Sequence, residues 1–152
     1  MSEKAQRYKR IAEHLKRVTD GEADVIARMS SAACLLHAEF DNFLWTGFYR
    51  LRGSELVVGP YQGRLGCLRI PLGRGVCGTA AQKKSTIIVD DVHAFPGHIT
   101  CDARAKSEIV VPVFDARGEL IAVLDVDSDA EAAFDSVDKE GLEQVVAIVG
   151  GR

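Results

Sequence analysis

The stretch Glu108-Ile-Val-Val-Pro-Val-Phe114-Asp115-Ala-Arg-Gly118-Glu-Leu120-Ile-Ala-Val-Leu-Asp125-Val-Asp127 reads as two strands, Glu108 to Phe114 and Leu120 to Asp127, joined by the turn Asp115-Ala-Arg-Gly118. Side chains alternate along a strand. Asp125 and Asp127 therefore share a face with Ile121 and Val123, while Leu120, Ala122, Leu124 and Val126 occupy the other. A strand apolar on both faces is buried, yet this one ends in two carboxylates pointing the same way, about 7 Å apart by strand rise. Like charges in a partly dry site raise at least one pKa, leaving a carboxyl that holds a proton near neutrality. Such a group can bind an ammonium or protonate a leaving oxygen. The plain alternative is a pair of strand-end aspartates facing water. Glu108 shifts the balance, because it starts the neighbouring strand and can complete an acidic cluster.

Working outward, the apolar periods predict helices on both sides of a sheet-forming segment. Tyr8, Ile11, Leu15 and Val18 recur at helical spacing over roughly residues 3–18, and Val25, Ile26, Met29, Ala33 and Leu36 give a second stripe. Thr19-Asp20-Gly21 interrupts the two and is placed to cap the second, making a helical hairpin over 1–40. Strands are expected at Phe43 to Leu51, Glu55 to Val58, Leu68 to Pro71 and Thr86 to Val89. Gly59 to Cys67 reads as a mobile segment, and Gly73-Arg-Gly75-Val-Cys77-Gly78 runs into a short helix. A last helix covers about 134–150, with Leu142, Val145, Val146 and Val149 on one face. The expectation is one α+β domain over 1–152, with a mainly antiparallel sheet of about six strands and the reactive loops within 41–130.

Composition narrows the function. The chain has 152 residues, is 47% hydrophobic and 27% charged, and carries a formal net charge of -3, so it can bury a core without disulfide staples. No basic stripe with interleaved aromatics argues for nucleic acid. The charged N-terminus and the lack of a bilayer-length apolar stretch point to a cytosolic protein, with no membrane role. Four cysteines in that compartment suggest redox or metal chemistry rather than a permanent disulfide framework.

Cys101 lies in a polar loop near His98, Asp102, Arg104 and Lys106, just before the strand at Glu108. Cationic neighbours lower a thiol pKa, so a reactive thiolate is one reading; a buried loop cysteine is the other. Cys67 sits in a Gly-flanked loop able to approach Cys101, and Cys77 opens a helix whose positive end favours thiolate. Cys34 falls within the second helix as a core or near-core residue. Zinc held by Cys67, Cys77, His98 and Cys101 is the metal alternative, weakened by the lack of any Cys-x-x-Cys pair. Gly73-Arg-Gly75-Val-Cys-Gly78 has dinucleotide-loop spacing without the required βαβ context. Trp45 and Tyr49 fall on one strand face and can wall the apolar end of a small ligand, whereas Phe48 reads as core.

Together, Trp-Thr-Gly-Phe-Tyr (45–49), Gly-Pro-Tyr-Gln-Gly (59–63), Gly-Arg-Gly-Val-Cys-Gly-Thr-Ala (73–80), Asp-Val-His-Ala-Phe-Pro-Gly-His-Ile-Thr-Cys-Asp (91–102), Ser-Glu-Ile-Val-Val-Pro (107–112) and Val-Leu-Asp-Val-Asp-Ser (123–128) resemble the free methionine-(R)-sulfoxide reductases, enzymes with a GAF-domain fold. The resemblance covers nearly the whole chain in order. It implies a catalytic Cys101, a main resolving Cys67, and Cys77 as a lesser or alternative partner. It also implies that Glu108, Asp125 and Asp127 hold the substrate amine and sulfoxide, and that Trp45 and Tyr49 surround the substrate methyl. In this family the reaction passes through a cysteine sulfenic acid and a disulfide, with thioredoxin as reductant, no metal or organic cofactor, and a homodimeric assembly. Arg104-Ala105-Lys106 replaces a run that is typically smaller and Ser-containing, and Thr100 stands where Ala is common. A competing class is a GAF module that binds a small ligand or senses redox state without turnover.

Overall fold

The structure is a computed structural model that describes residues 1–99 and 101–152. Six strands form one sheet: β1 (Trp45–Arg52), β2 (Glu55–Gln62), β3 (Arg69–Pro71), β4 (Ile87–Val89), β5 (Ser107–Phe114) and β6 (Leu120–Ser128). Their order is β3-β2-β1-β6-β5-β4, antiparallel at every pairing. This is the α+β GAF arrangement the sequence predicts. An antiparallel sheet also removes the βαβ context that a dinucleotide loop needs.

Four α-helices accompany the sheet: α1 (Glu3–Val18), α2 (Val25–Glu39), α3 (Gly75–Lys83) and α4 (Ser136–Val149). The Ser2 hydroxyl accepts from Ala5 N–H to begin α1. Asp24 begins α2 by accepting from the N–H groups of Ile26 and Ala27. The expected cap at Thr19-Asp20-Gly21 is thus corrected: Thr19 ends α1, and the chain turns through residues 20–23 before Asp24 can cap the next helix. Asp135 and Asp138 form a reciprocal capping box at α4. Asp138 also accepts from the Tyr8 hydroxyl at 2.7 Å and from Lys4 Nζ at 2.9 Å, which fastens α1 to the start of α4.

The sheet divides the interior in two. Phe48, Ile109, Val111, Val113, Ala122, Leu124 and Val126 project to the face covered by α1, α2 and α4, where Leu15, Leu36 and Leu142 have no exposed surface. On the other face, Tyr49, Leu56, Val110 and Val123 meet Val76, Ala80 and Ala81 of α3. β2 runs on through Gln62, so the first half of the segment expected to be mobile is strand: after a register shift past Val58, Tyr61 and Gln62 pair with Gly47 and Thr46 of β1. Cys34 is exposed on α2 rather than near the core, because the buried positions of that helix are Met29, Ala32, Ala33 and Leu36.

Candidate active site

The β1-β6-β5 register brings the acidic and aromatic residues together. Asp127 is paired with Trp45 on one side and Glu108 on the other, and Asp125 is paired with Gly47 and Val110. The next row, on the same face, pairs Val123 with Tyr49 and Pro112. Three carboxyls and two rings therefore converge because adjacent strands carry them at matching positions of the pleat. They line one pocket, together with Cys77 from α3 and with His98 and Cys101 from the loop before β5.

Trp45 is held as a fixed wall. Its ring stacks between Tyr49 (centroids 5.6 Å apart) and Tyr61 (5.0 Å), and its indole N–H donates to the Arg64 carbonyl at 2.9 Å. Glycine is required beside it: a Cβ on Gly66 would stand 2.8 Å from Trp45 Cζ2, and one on Gly47 would stand 2.7 Å from Trp45 Cη2.

Burial governs the electrostatics of the floor. Glu108 and Asp125 are each 5% exposed, and Asp127 sits partly exposed beside them. Burial, followed by the charges of Asp125 and Asp127, pushes Glu108 well above the usual carboxylate range. Burial, then the charge of Asp125, does the same to Asp127, and burial raises Asp125. Asp125 Oδ1 is buried with no hydrogen-bond partner among the described residues, an acceptor facing a pocket that can supply a donor. His98 Nε2 lies 3.8 Å from Glu108 Oε1, and burial lowers the imidazole pKa while it raises that of Glu108, so the site disfavours the charged form of both partners.

The cysteines occupy two depths. Cys67 and Cys101 form a disulfide at the pocket's outer edge, with Cα atoms 5.5 Å apart. Cys77 is buried below, its Sγ 3.9 Å from Glu108 Oε2 as a weak donor. Its position at the start of α3 does not favour thiolate as the sequence suggests. Burial, then the charges of Asp125 and Glu108, raises the thiol pKa well above its ordinary value. Of the cationic neighbours of Cys101, Arg104 is otherwise engaged: it binds both oxygens of Asp102, at 3.1 and 2.7 Å. That fork, with the Arg104 backbone N–H, pushes Asp102 down to about 2. Lys106 is exposed.

The zinc alternative at Cys67, Cys77, His98 and Cys101 loses two of its four ligands in this oxidised state, since Cys67 and Cys101 spend their sulfurs on each other. Among the described residues, Cys77, Glu108 and Asp125 do bring ligand atoms within 4.8 Å of one another. All three retain protons more strongly than usual, which opposes metal ligation by thiolate and carboxylate.

With this geometry in view, the model of the GAF domain matches residues 5–152. A free methionine-R-sulfoxide reductase of Escherichia coli is 44% identical, the match covering 84% of this chain and 76% of that one. One from Saccharomyces cerevisiae is 41% identical, over 87% and 77%. The solved structure of free methionine-R-sulfoxide reductase from Neisseria meningitidis, in complex with its substrate, superimposes with a TM-score of 0.93 at 41% identity, covering 99% of this chain and 90% of that one. The chain belongs to the free methionine-(R)-sulfoxide reductase family of GAF-domain proteins. Every site residue expected from that family lies around one pocket: Trp45, Tyr49, Cys77, Cys101, Glu108, Asp125 and Asp127 line it, and Cys67 is bonded to Cys101.

Sequence reasoning missed Tyr61, whose ring closes the far side of Trp45, and it placed His98 with metal ligands rather than beside Glu108. The sequence signal for Tyr61 is Gly47: a glycine in a strand leaves room for a neighbouring ring, but only the register Gly47↔Tyr61 says whose. Among the family departures, Ala105 is buried against the pocket and Thr100 lies outside the described residues.

Proposed function

We propose that this protein reduces free L-methionine-(R)-sulfoxide to L-methionine. The observation that carries the reading is the Cys67–Cys101 disulfide at the edge of a pocket floored by three proton-retaining carboxyls. In the reduced protein, the Cys101 thiolate attacks the sulfoxide sulfur. A protonated carboxyl among Glu108, Asp125 and Asp127 gives its proton to the sulfoxide oxygen. The hydroxyl passes from the substrate sulfur to the Cys101 sulfur as the bond between the two sulfurs breaks, so methionine departs with both electrons and Cys101 is left as a sulfenic acid. The Cys67 thiol condenses with it, water leaves, and the disulfide forms. An external dithiol then returns both cysteines to thiols while becoming a disulfide itself.

Trp45 and Tyr49 take the substrate methyl, and the carboxyl cluster takes the ammonium. Asp125 Oδ1, buried without a partner, is the acceptor most in need of such a donor. A methionine within a peptide has no ammonium to offer, which restricts the site to the free amino acid. Thioredoxin as the dithiol, a homodimeric assembly and a cytosolic place of action complete the reading and rest on family membership alone. Consistent with it, no helix among the described residues is long and apolar enough to cross a membrane. Cys77 serves as an alternative thiol partner, its high pKa keeping it in reserve.

The test is to incubate the protein with dithiothreitol and each epimer of free methionine sulfoxide, then quantify methionine. Conversion of the R epimer alone is expected. Ligand binding without conversion would instead identify a non-catalytic GAF module.

A further inference from the structure

Apart from Met1, the two most exposed large apolar residues are Leu65 (80%) and Leu68 (73%). They bracket Gly66-Cys67 in the chain, so both flank one half of the disulfide. The other half, Cys101, is itself exposed. Two leucines this bare leave apolar surface in water directly beside the bond that must be reduced.

The chain cannot reduce this disulfide by itself. Cys77 is buried beneath the pocket and held as a thiol, and Cys34 lies on α2, on the opposite side of the sheet. The attacking thiolate must come from outside, over the surface that carries the leucines. Cations lie beside it: Arg64 adjoins Leu65 in the chain and Arg74 lines the same pocket as Leu65, both are exposed, and among the described residues neither has a carboxylate partner within salt-bridge distance, in a chain whose net charge is -3. Arg69 and Arg104, by contrast, are neutralised by Glu55 and Asp102.

We propose that the Leu65–Leu68 segment is the docking surface for the reducing partner, a protein dithiol with an apolar rim around its nucleophilic cysteine and acidic residues beyond it. This rests on the catalytic reading above, deepening it to name the surface that admits the reductant. In the docked complex, a partner thiolate attacks one sulfur of the Cys67–Cys101 bond. A mixed disulfide forms and the other cysteine leaves as thiolate. The partner's second thiol then attacks its own bonded sulfur, so the partner departs as a disulfide and both cysteines here end reduced. The leucines supply apolar contact, and the unpaired cations steer the encounter.

The experiment follows reduction of the preformed disulfide by thiol titration, with no sulfoxide present, using a thioredoxin or dithiothreitol as reductant. Leu68→Ser is the main variant, because Leu65 also lines the pocket whereas Leu68 does not. Its second-order rate with thioredoxin is expected to fall about tenfold, the scale of one interface anchor, and Leu68→Met should restore it. The dithiothreitol rate should stay within about twofold, since a small dithiol needs no docking surface. Arg64→Glu should flatten the salt dependence of the thioredoxin rate. An equal fall with both reductants, an unchanged thioredoxin rate, or loss of a homodimer with that rate intact would overturn the proposal. Because no sulfoxide takes part, its failure is separable from failure of the catalytic reading.

Discussion

The two faces of β5 and β6 are one residue apart in sequence and opposite in chemistry. Toward the helices, Ile109, Val111, Val113, Ala122, Leu124 and Val126 are buried to 1% exposure or less among aliphatic and aromatic neighbours. Toward α3, the same strands present Val110 and Val123 and then Glu108, Asp125 and Asp127 at the end where the cysteine loops meet. The first face stabilises the fold by removing hydrocarbon from water. The second buries acids that resist ionisation, which costs stability and leaves protons available for chemistry. A strand can do both because its side-chain period is two.

The sharpest break between the faces is Cys101→Ser, which should abolish turnover while leaving thermal unfolding close to that of the reduced wild-type protein. Steady-state activity of that variant would remove the nucleophile from the mechanism. Cys67→Ser belongs with it: one stoichiometric release of methionine should survive while recycling slows, readable in a single-turnover assay. Next, Asp127→Asn should lower kcat/KM by about 10²-fold or more, the range for loss of a positioned acid or charged contact, with little loss of stability. An unchanged kcat/KM would confine the acidic cluster to structure.

On the helix face the pattern should invert. Leu124→Ala removes a side chain with no exposed surface and should cost about 2–5 kcal/mol in denaturant unfolding, with kcat of the remaining folded protein unchanged. A large kcat effect there would mean that the sheet transmits packing strain into the site.

A smaller effect separates the faces by pH. Burial and the charges of Asp125 and Asp127 raise the folded-state pKa of Glu108. Its contribution to stability is therefore complete below the unfolded value and is lost as pH rises through the raised folded value. Glu108→Gln does not titrate, so its melting temperature should exceed that of the wild type at about pH 8, with the gap closing toward about pH 4. A gap that persists or widens on acidification would mean that burial is not what shifts the acid. The smallest expected effect is Arg104→Ala. Its guanidinium is tied to Asp102 rather than to Cys101, so dithiothreitol-driven turnover should stay within about twofold.

Much of this was legible in the residues. The alternation in Leu120 to Asp127 fixed which side chains share a face, and the apolar stripes of α1, α2 and α4 located three of the four helices and most of their inward residues; Val18, in the last turn of α1, and Ile26, in the first turn of α2, are exposed instead, because the packed face of each helix does not reach its end. Motif likeness named the cysteines and three of the four carboxyls now found around the pocket, Glu108, Asp125 and Asp127; the fourth, Asp102, stood out only as a chain neighbour of Cys101. What stayed hidden depended on contacts between distant segments. The capping site moved to Asp24 because the length of a loop depends on where both helices dock. Local charge along the chain suggested that Arg104 would activate Cys101, but a carboxylate two residues away in sequence is closer in geometry.

The chain alone therefore determined the periods, the face of each strand residue and the inventory of reactive groups, because these follow from backbone geometry within one element. Tertiary structure decided the rest: that Trp45, Asp127 and Glu108 fall in one row, that Tyr61 closes over Gly47, and that Cys77 is kept protonated below the disulfide. Strand register and burial are properties of pairs of segments, and a thiol or carboxyl takes its pKa from whatever those pairings place around it.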